Sequence, residues 1–179
     1  SQQEAEPLLN VLIESEPGMR ELRRKKRRLN MRLKDEINEL KEVRVEDPKK
    51  IFTMYLNTDR SRPEQQKGEW KIHLKNGLKD LADTTKESDS HEEKNQSKTI
   101  REKVEKEVYG KERELLRGLV LVATADEEIW FEKTLQIPVQ TEFHWEDHPV
   151  LDQLEMLEKD YPYTGIVVIQ KDEAAILET

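Results

Sequence analysis

The chain has no cysteine. That removes disulfides, thiolate metal sites and a cysteine nucleophile together, and it fits a reducing compartment. Its six glycines are scattered singly, so no glycine-rich phosphate loop is written anywhere. No serine or threonine stands in a nucleophile-elbow context, which leaves hydrolytic and phosphotransfer chemistry without a seat. Long apolar runs are missing as well. The longest, residues 118–123 and 166–169, are strand-sized and far below the roughly 20 residues of a membrane-crossing helix. The first residues show no basic segment followed by an apolar one, so no secretory leader is visible and the expected location is the cytoplasm. Nothing in the sequence asks for a cofactor.

What is present is charge: 39% of the 179 residues are charged, against 34% hydrophobic, and the mean hydropathy is −0.95. This composition lies on the helical, heavily solvated side of globular proteins and predicts a small core. The formal net charge of −8 conceals a segregation. Residues 1–50 carry 13 basic and 11 acidic side chains, residues 51–117 carry 15 and 14, and residues 118–179 carry 3 and 14. Within the first block, residues 19–34 hold nine cations against the single acid Glu21. The pattern is a basic rod joined to an acidic body.

Apolar spacing then sets out the elements. Residues 19–43 contain neither Pro nor Gly, and Leu22, Leu29, Leu33, Ile37, Leu40 and Val43 trace one helical stripe that charge interrupts at residues 23–28. Residues 51–56 are rich in β-formers and read as a strand. Trp70, Leu74, Leu78 and Leu81 predict a helix over about 63–83, with Pro63 near its first turn. The tract 84–97 has no apolar residue and reads as a mobile loop. A third helix follows on Ile100, Val104 and Val108, and then strands at 119–123 and 129–131. Alternation of Ile137, Val139, Thr141 and Phe143 with polar residues predicts an edge strand there, given Pro138. A helix over 149–160 and a terminal pair of strands, 165–169 and 174–177, complete the series. The uncovered final pair predicts a protein that continues past Thr179. The expected fold is α+β: a mixed, mainly antiparallel sheet packed with helices and preceded by a long basic N-terminal helix. Its expected divisions are an arm at 1–46, a domain at 47–161 and the start of another unit at 162–179.

Two groups of residues are candidates for chemistry. His144 and His148 flank Trp145, Glu146 and Asp147, the only place where two imidazoles and two carboxylates are close in sequence. They straddle a strand end and a pre-proline turn, with no third ligand anchored nearby, so they make a poor zinc motif. The second group is the cluster Arg23, Arg24, Lys25, Lys26, Arg27 and Arg28, extended by Arg20, Arg32 and Lys34. On a helix, six consecutive cations point in every direction. Such an arm meets a nucleic-acid backbone from any side, with strong salt dependence, but carries no sequence preference of its own. The plain alternative is a solvated arm paired with acids such as Glu14, Glu16, Asp35 and Glu36.

The order of segments adds a resemblance. Ile51-Phe-Thr-Met-Tyr-Leu-Asn-Thr-Asp59, then Gly68-Glu-Trp-Lys-Ile-His-Leu-Lys-Asn-Gly-Leu78, then Val120-Leu-Val-Ala-Thr-Ala-Asp-Glu-Glu-Ile-Trp-Phe131 and finally Gly165-Ile-Val-Val-Ile-Gln-Lys-Asp-Glu-Ala-Ala-Ile-Leu177 resemble the bacterial Vms-type, archaeal/eukaryotic-like peptide-chain release factors. The likeness covers about residues 30–179. It implies that the chain up to about Asp160 is the family's N-terminal α+β domain, which faces the decoding region of the small ribosomal subunit in better-known members, and that the middle domain begins after it. The helix carrying Lys71, His73, Lys75 and Asn76 lies where the family places its codon-proximal helix and loop, yet the Asn-Ile-Lys-Ser signature is not written here. The Gly-Gly-Gln loop that places water against the peptidyl-tRNA ester is absent from this sequence too. The resemblance therefore implies a binding module for the ribosome, rRNA or tRNA, in termination or rescue of stalled peptidyl-tRNA, with Lys71 and Lys75 joining the basic cluster as RNA contacts. Two readings compete with it. One is a non-catalytic adaptor whose long helix forms a coiled coil through Leu29, Leu33, Ile37 and Leu40. The other is an enzyme using the two histidines.

Overall fold

In the computed structural model, which describes residues 32–63, 66–161 and 167–168, strands β1 (Ile51–Asn57) and β2 (Gly118–Ala123) pair at the centre of an antiparallel sheet. Both lack charge, and every residue from 51 to 56 and from 118 to 123 is buried, so they are covered on both faces. Strand β4 (Glu142–Glu146) flanks β1. On the other side, β3 (Trp130–Leu135) flanks β2, and the two-residue β5 (Val167–Val168) pairs with Leu135 and Thr134 of β3. The order is β4-β1-β2-β3-β5, and each neighbouring pair is antiparallel. With the helices α1 (Leu33–Lys41), α2 (Glu69–Lys86), α3 (His91–Gly110) and α4 (Asp152–Asp160) among the described residues, the fold is α+β, as the element pattern predicts.

Register explains the two layers. Phe52, Met54 and Leu56 stand opposite Ala123, Leu121 and Leu119, and these six form one sheet face. That face belongs to the core cluster with Trp70, Leu74, Leu78 and Leu81 of α2 and Ile100, Val104 and Val108 of α3. The apolar rows recur at helical spacing, and burying each large side chain stabilises by roughly 1.5–3 kcal/mol before the entropy lost on folding. On the opposite face, Tyr55 donates its hydroxyl to the Val150 carbonyl at 2.7 Å, and the Val150 N–H donates to Thr53 Oγ1 at 3.2 Å. Those two bonds fix the approach to α4, whose Leu154 is fully buried.

Contacts divide the chain into a unit ending at Leu40 and another beginning at Lys41. Of the helical stripe read from the sequence, Leu33, Ile37 and Leu40 fall on α1, where Ile37 and Leu40 are buried. Residues 19–31 of the predicted helix lie outside the described residues, and α1 ends at Lys41, short of Val43.

Three expectations are corrected. The tract 84–97 is not a loop: α2 runs on to Lys86, and α3 starts at His91. Ser90 caps α3, its side chain accepting the Glu93 N–H at 3.2 Å, and the Ser88 hydroxyl donates to Glu93 Oε2 at 2.7 Å. The residues that turn inward here are polar. Thr85 Oγ1 bonds Ser97 Oγ at 2.8 Å, while the Gln96 amide accepts from the Lys50 N–H and donates to the Pro48 carbonyl. A search for apolar spacing passes over such positions. Secondly, α2 begins at Glu69 rather than near Pro63, after Gly68 at φ 79, a left-handed conformation that suits glycine. Thirdly, the edge strand sits at residues 142–146 and not over 137–143. Ahead of it the chain crosses β2, with the Ile137 carbonyl 2.7 Å from where a Gly118 β-carbon would stand. Thr141 Oγ1 accepts the Asn57 N–H, and Gln140 and Gln153 bond each other twice, so residues 137–141 are held as an irregular crossing. Its position at the edge is as predicted.

Candidate nucleic-acid interface

The block Arg20, Arg23, Arg24, Lys25, Lys26, Arg27 and Arg28 lies outside the described residues. Three sequence-predicted contacts fall inside them. Arg32 is exposed just ahead of α1. Lys71 and Lys75 stand one turn apart on α2, and their surroundings differ. Lys75 is exposed, whereas Lys71 is half-buried, with its ammonium 2.6 Å from Glu112 Oε1 and 5.5 Å from the Trp70 ring centre. Lys71 therefore spends its charge within the protein, on an acid that the sequence gives no reason to pair with it. His73 and Asn76 are exposed on the same helix.

Glu112 is a meeting point. The Lys71 ammonium holds its carboxyl below the usual carboxylate range, helped by the charges of Arg60 and Arg113. Arg60 Nη2 donates to the Glu112 carbonyl at 3.1 Å. Close by, Arg117 bonds Asp59 Oδ2 through Nε at 3.3 Å and Nη2 at 3.2 Å. The Ser61 backbone N–H, first, and then Arg117 hold the Asp59 carboxyl below its ordinary value, against the effect of burial. The end of β1, the start of α2 and the end of α3 thus bring Arg60, Lys71, Arg113 and Arg117 to one end of the sheet. Sequence reasoning missed Arg60, Arg113 and Arg117. None stands in a basic run comparable to Arg23–Arg28, as Asp59-Arg60-Ser61-Arg62 and Glu112-Arg113-Glu114 show, so no local cluster marks them. Their convergence is a product of the β1–β2 pairing.

At the same end lies an open recess of about 470 Å³ lined by Tyr109, Gly110, Glu112, Arg113 and Glu114. Tyr109 is 38% exposed, and its ring leans on buried Trp70, with ring centres 5.8 Å apart and planes at 45°. Next to it, Lys111 bonds Glu107 at 2.8 Å and reaches Glu132 Oε2 at 3.2 Å, and the Trp130 indole N–H donates to the same oxygen at 3.2 Å. Burial pushes the Glu132 carboxyl up, and Lys111 opposes the shift. Lys111 itself is raised: burial works against its charge, but Glu107 and Glu132 outweigh it.

The histidine candidates do not come together on shared ligands. His144 Nε2 is 3.3 Å from Glu142 Oε2, and His148 Nδ1 is 2.6 Å from Asp147 Oδ1. Among the described residues no three His, Asp or Glu side chains gather as a metal ion would require, and no helix there is long and apolar enough to cross a membrane.

No protein-family model matches the chain. It is similar to the uncharacterized protein YocB of Bacillus subtilis (strain 168), with 43% identity over 143 residues that cover 80% of this chain and 54% of that protein. The chain thus spans about half the length of the curated relative it matches.

Proposed function

We propose that this chain is an RNA-binding module of a release-factor-like protein, associated with the ribosome or tRNA in translation termination or in rescue of stalled peptidyl-tRNA. The observation that carries the reading is the run of six consecutive cations, Arg23 to Arg28, within a chain whose last third is strongly acidic. A charge distribution so uneven favours a phosphate backbone on one side and turns it away on the other. Support also comes from the order of segments, which resembles that of the release-factor family, and from the exposed cations Arg32 and Lys75. No Gly-Gly-Gln is written between residues 1 and 179, and the reading assigns these residues to binding.

Co-sedimentation with ribosomes tests it. The natural chain pellets with ribosomes at low salt and is released as salt rises, by a slope that counts the phosphates neutralised. Replacing Arg23, Arg24, Arg27 and Arg28 by Glu abolishes pelleting at moderate salt. Undiminished pelleting of that variant sinks the reading.

A further inference from the structure

The recess at the end of α3 combines two features that seldom share a surface without a reason. One is an aromatic ring left partly open to solvent: Tyr109 is 38% exposed, although one side of it is steadied by Trp70, itself only 2% exposed. The other is positive charge: Arg113 lines the recess, and Arg60 bonds the carbonyl of Glu112, another lining residue. Glu112 and Glu114 also line it. Lys71 offsets the first of these acids by direct contact, and Arg60 and Arg113 add to that effect. Gly110 also lines the recess, and a β-carbon there would meet nothing within 4 Å.

We infer that this recess receives one unpaired nucleotide, its base stacked on the Tyr109 ring and its phosphate held by Arg113 and Arg60. This inference rests on the RNA-binding reading above. Every base has a π-face, so a fixed aromatic ring accepts any of the four, and the stacking stabilises by an amount that alanine substitution makes plain. Because Trp70 already restrains Tyr109, little ring freedom remains to be lost on binding. The recess, about 470 Å³ and open to solvent, has room for a single nucleotide. An acidic peptide would use the same cations but would gain nothing specific from a ring that stacks. The site is separate in sequence from the basic block at residues 20–28 and supplies the contact with a base that the block, which touches only phosphate, lacks.

The test uses the full chain and a short single-stranded uridine oligomer, followed by fluorescence anisotropy. Tyr109→Leu weakens binding about tenfold or more, while Tyr109→Phe, which keeps the ring, stays close to the natural protein. Arg113→Ala lowers the salt slope by about one. A 4-thiouridine oligomer crosslinks to Tyr109 in the unaltered protein, a readout that does not depend on any variant folding. The inference is overturned if the natural chain does not bind the oligomer, or if Tyr109→Leu binds as tightly as the natural chain and the crosslink maps elsewhere. It is also overturned if an acidic peptide binds the recess and tolerates Tyr109→Leu. Ribosome pelleting separates the two claims. Pelleting lost on reversal of Arg23, Arg24, Arg27 and Arg28, with RNA binding indifferent to Tyr109, leaves the ribosomal reading standing and removes this site. Tyr109-dependent RNA binding without ribosome pelleting does the reverse.

Discussion

The ring of Phe143 on β4 occupies the space that a β-carbon on Gly77 of α2 would fill, so the helix meets the edge strand through bare backbone at that point. Phe143 also leans on Phe52 of β1, with ring centres 6.3 Å apart, and that contact leaves it little room to retreat. The edge strand is thereby fastened to the helix layer.

Gly77→Ala follows from this contact. Helix propensity alone favours alanine by about 1 kcal/mol, but overpacking a filled interior costs about 1–3 kcal/mol. The expected outcome is net destabilisation in urea, recovered in part when Phe143→Leu is added. A Gly77→Ala chain as stable as the natural one would show that the ring yields freely.

The start of α3 depends on Ser90. Removing its oxygen in Ser90→Ala leaves the Glu93 N–H without its cap and destabilises by about 1 kcal/mol. Glu93 also accepts from the Ser88 hydroxyl and from Trp145 Nε1 at 3.0 Å, so fraying there loosens β4. Hydrogen exchange checks this. Faster exchange at the first amides of α3 and through residues 142–146 is expected, and a change confined to the helix end would refute the coupling.

Lys111 and Glu132 are unequal partners. Glu132 has a side chain only 6% exposed, and Lys111 compensates its charge. Lys111→Met leaves that carboxylate buried without a cation and destabilises by about 2–3 kcal/mol, somewhat under the usual range because Lys111 is partly exposed. Glu132→Gln removes the charge itself and costs less. The sign of the pH effect follows from a carboxyl raised above its ordinary value: its contribution is present at low pH and lost as pH rises through the raised value. Loss of Lys111 raises it further, so the defect of Lys111→Met shrinks as the solution is acidified. Denaturation across pH checks this, and a defect independent of pH would contradict it.

Asp126 behaves in the opposite sense. Burial favours its neutral form, but bonds from Lys49, the Thr124 hydroxyl and the Glu128 N–H outweigh burial and bring it from 3.8 to about 2. A lowered carboxyl stabilises above its ordinary value, and that contribution disappears as pH falls from 3.8 towards 2. Asp126→Asn should flatten the loss of stability in this window. An acid limb with unchanged slope would show that the bonds contribute nothing.

Several elements were legible from residues alone. The charge-free runs at 51–56 and 119–123 announce β1 and β2, because their strand length and content of β-formers fit a strand covered on both faces. Trp70, Leu74, Leu78 and Leu81 announced α2 because helical geometry brings every third or fourth residue to one side. The block Arg23 to Arg28 is a fact of sequence and needs no fold to be seen. Periodicity reports the partition of side chains between water and an apolar interior, and it is silent wherever the interior is polar. Hence the first turns of α3, built on Ser90, Gln96 and Ser97, leave no apolar signal, and the pairing of Lys71 with Glu112 leaves no local trace in the sequence. The gathering of Arg60, Arg113 and Arg117 and the seating of Tyr109 on Trp70 were decided by tertiary structure alone. Residues far apart along the chain become neighbours only when the strands pair and the helices settle on the sheet, and local spacing carries no record of that long-range choice.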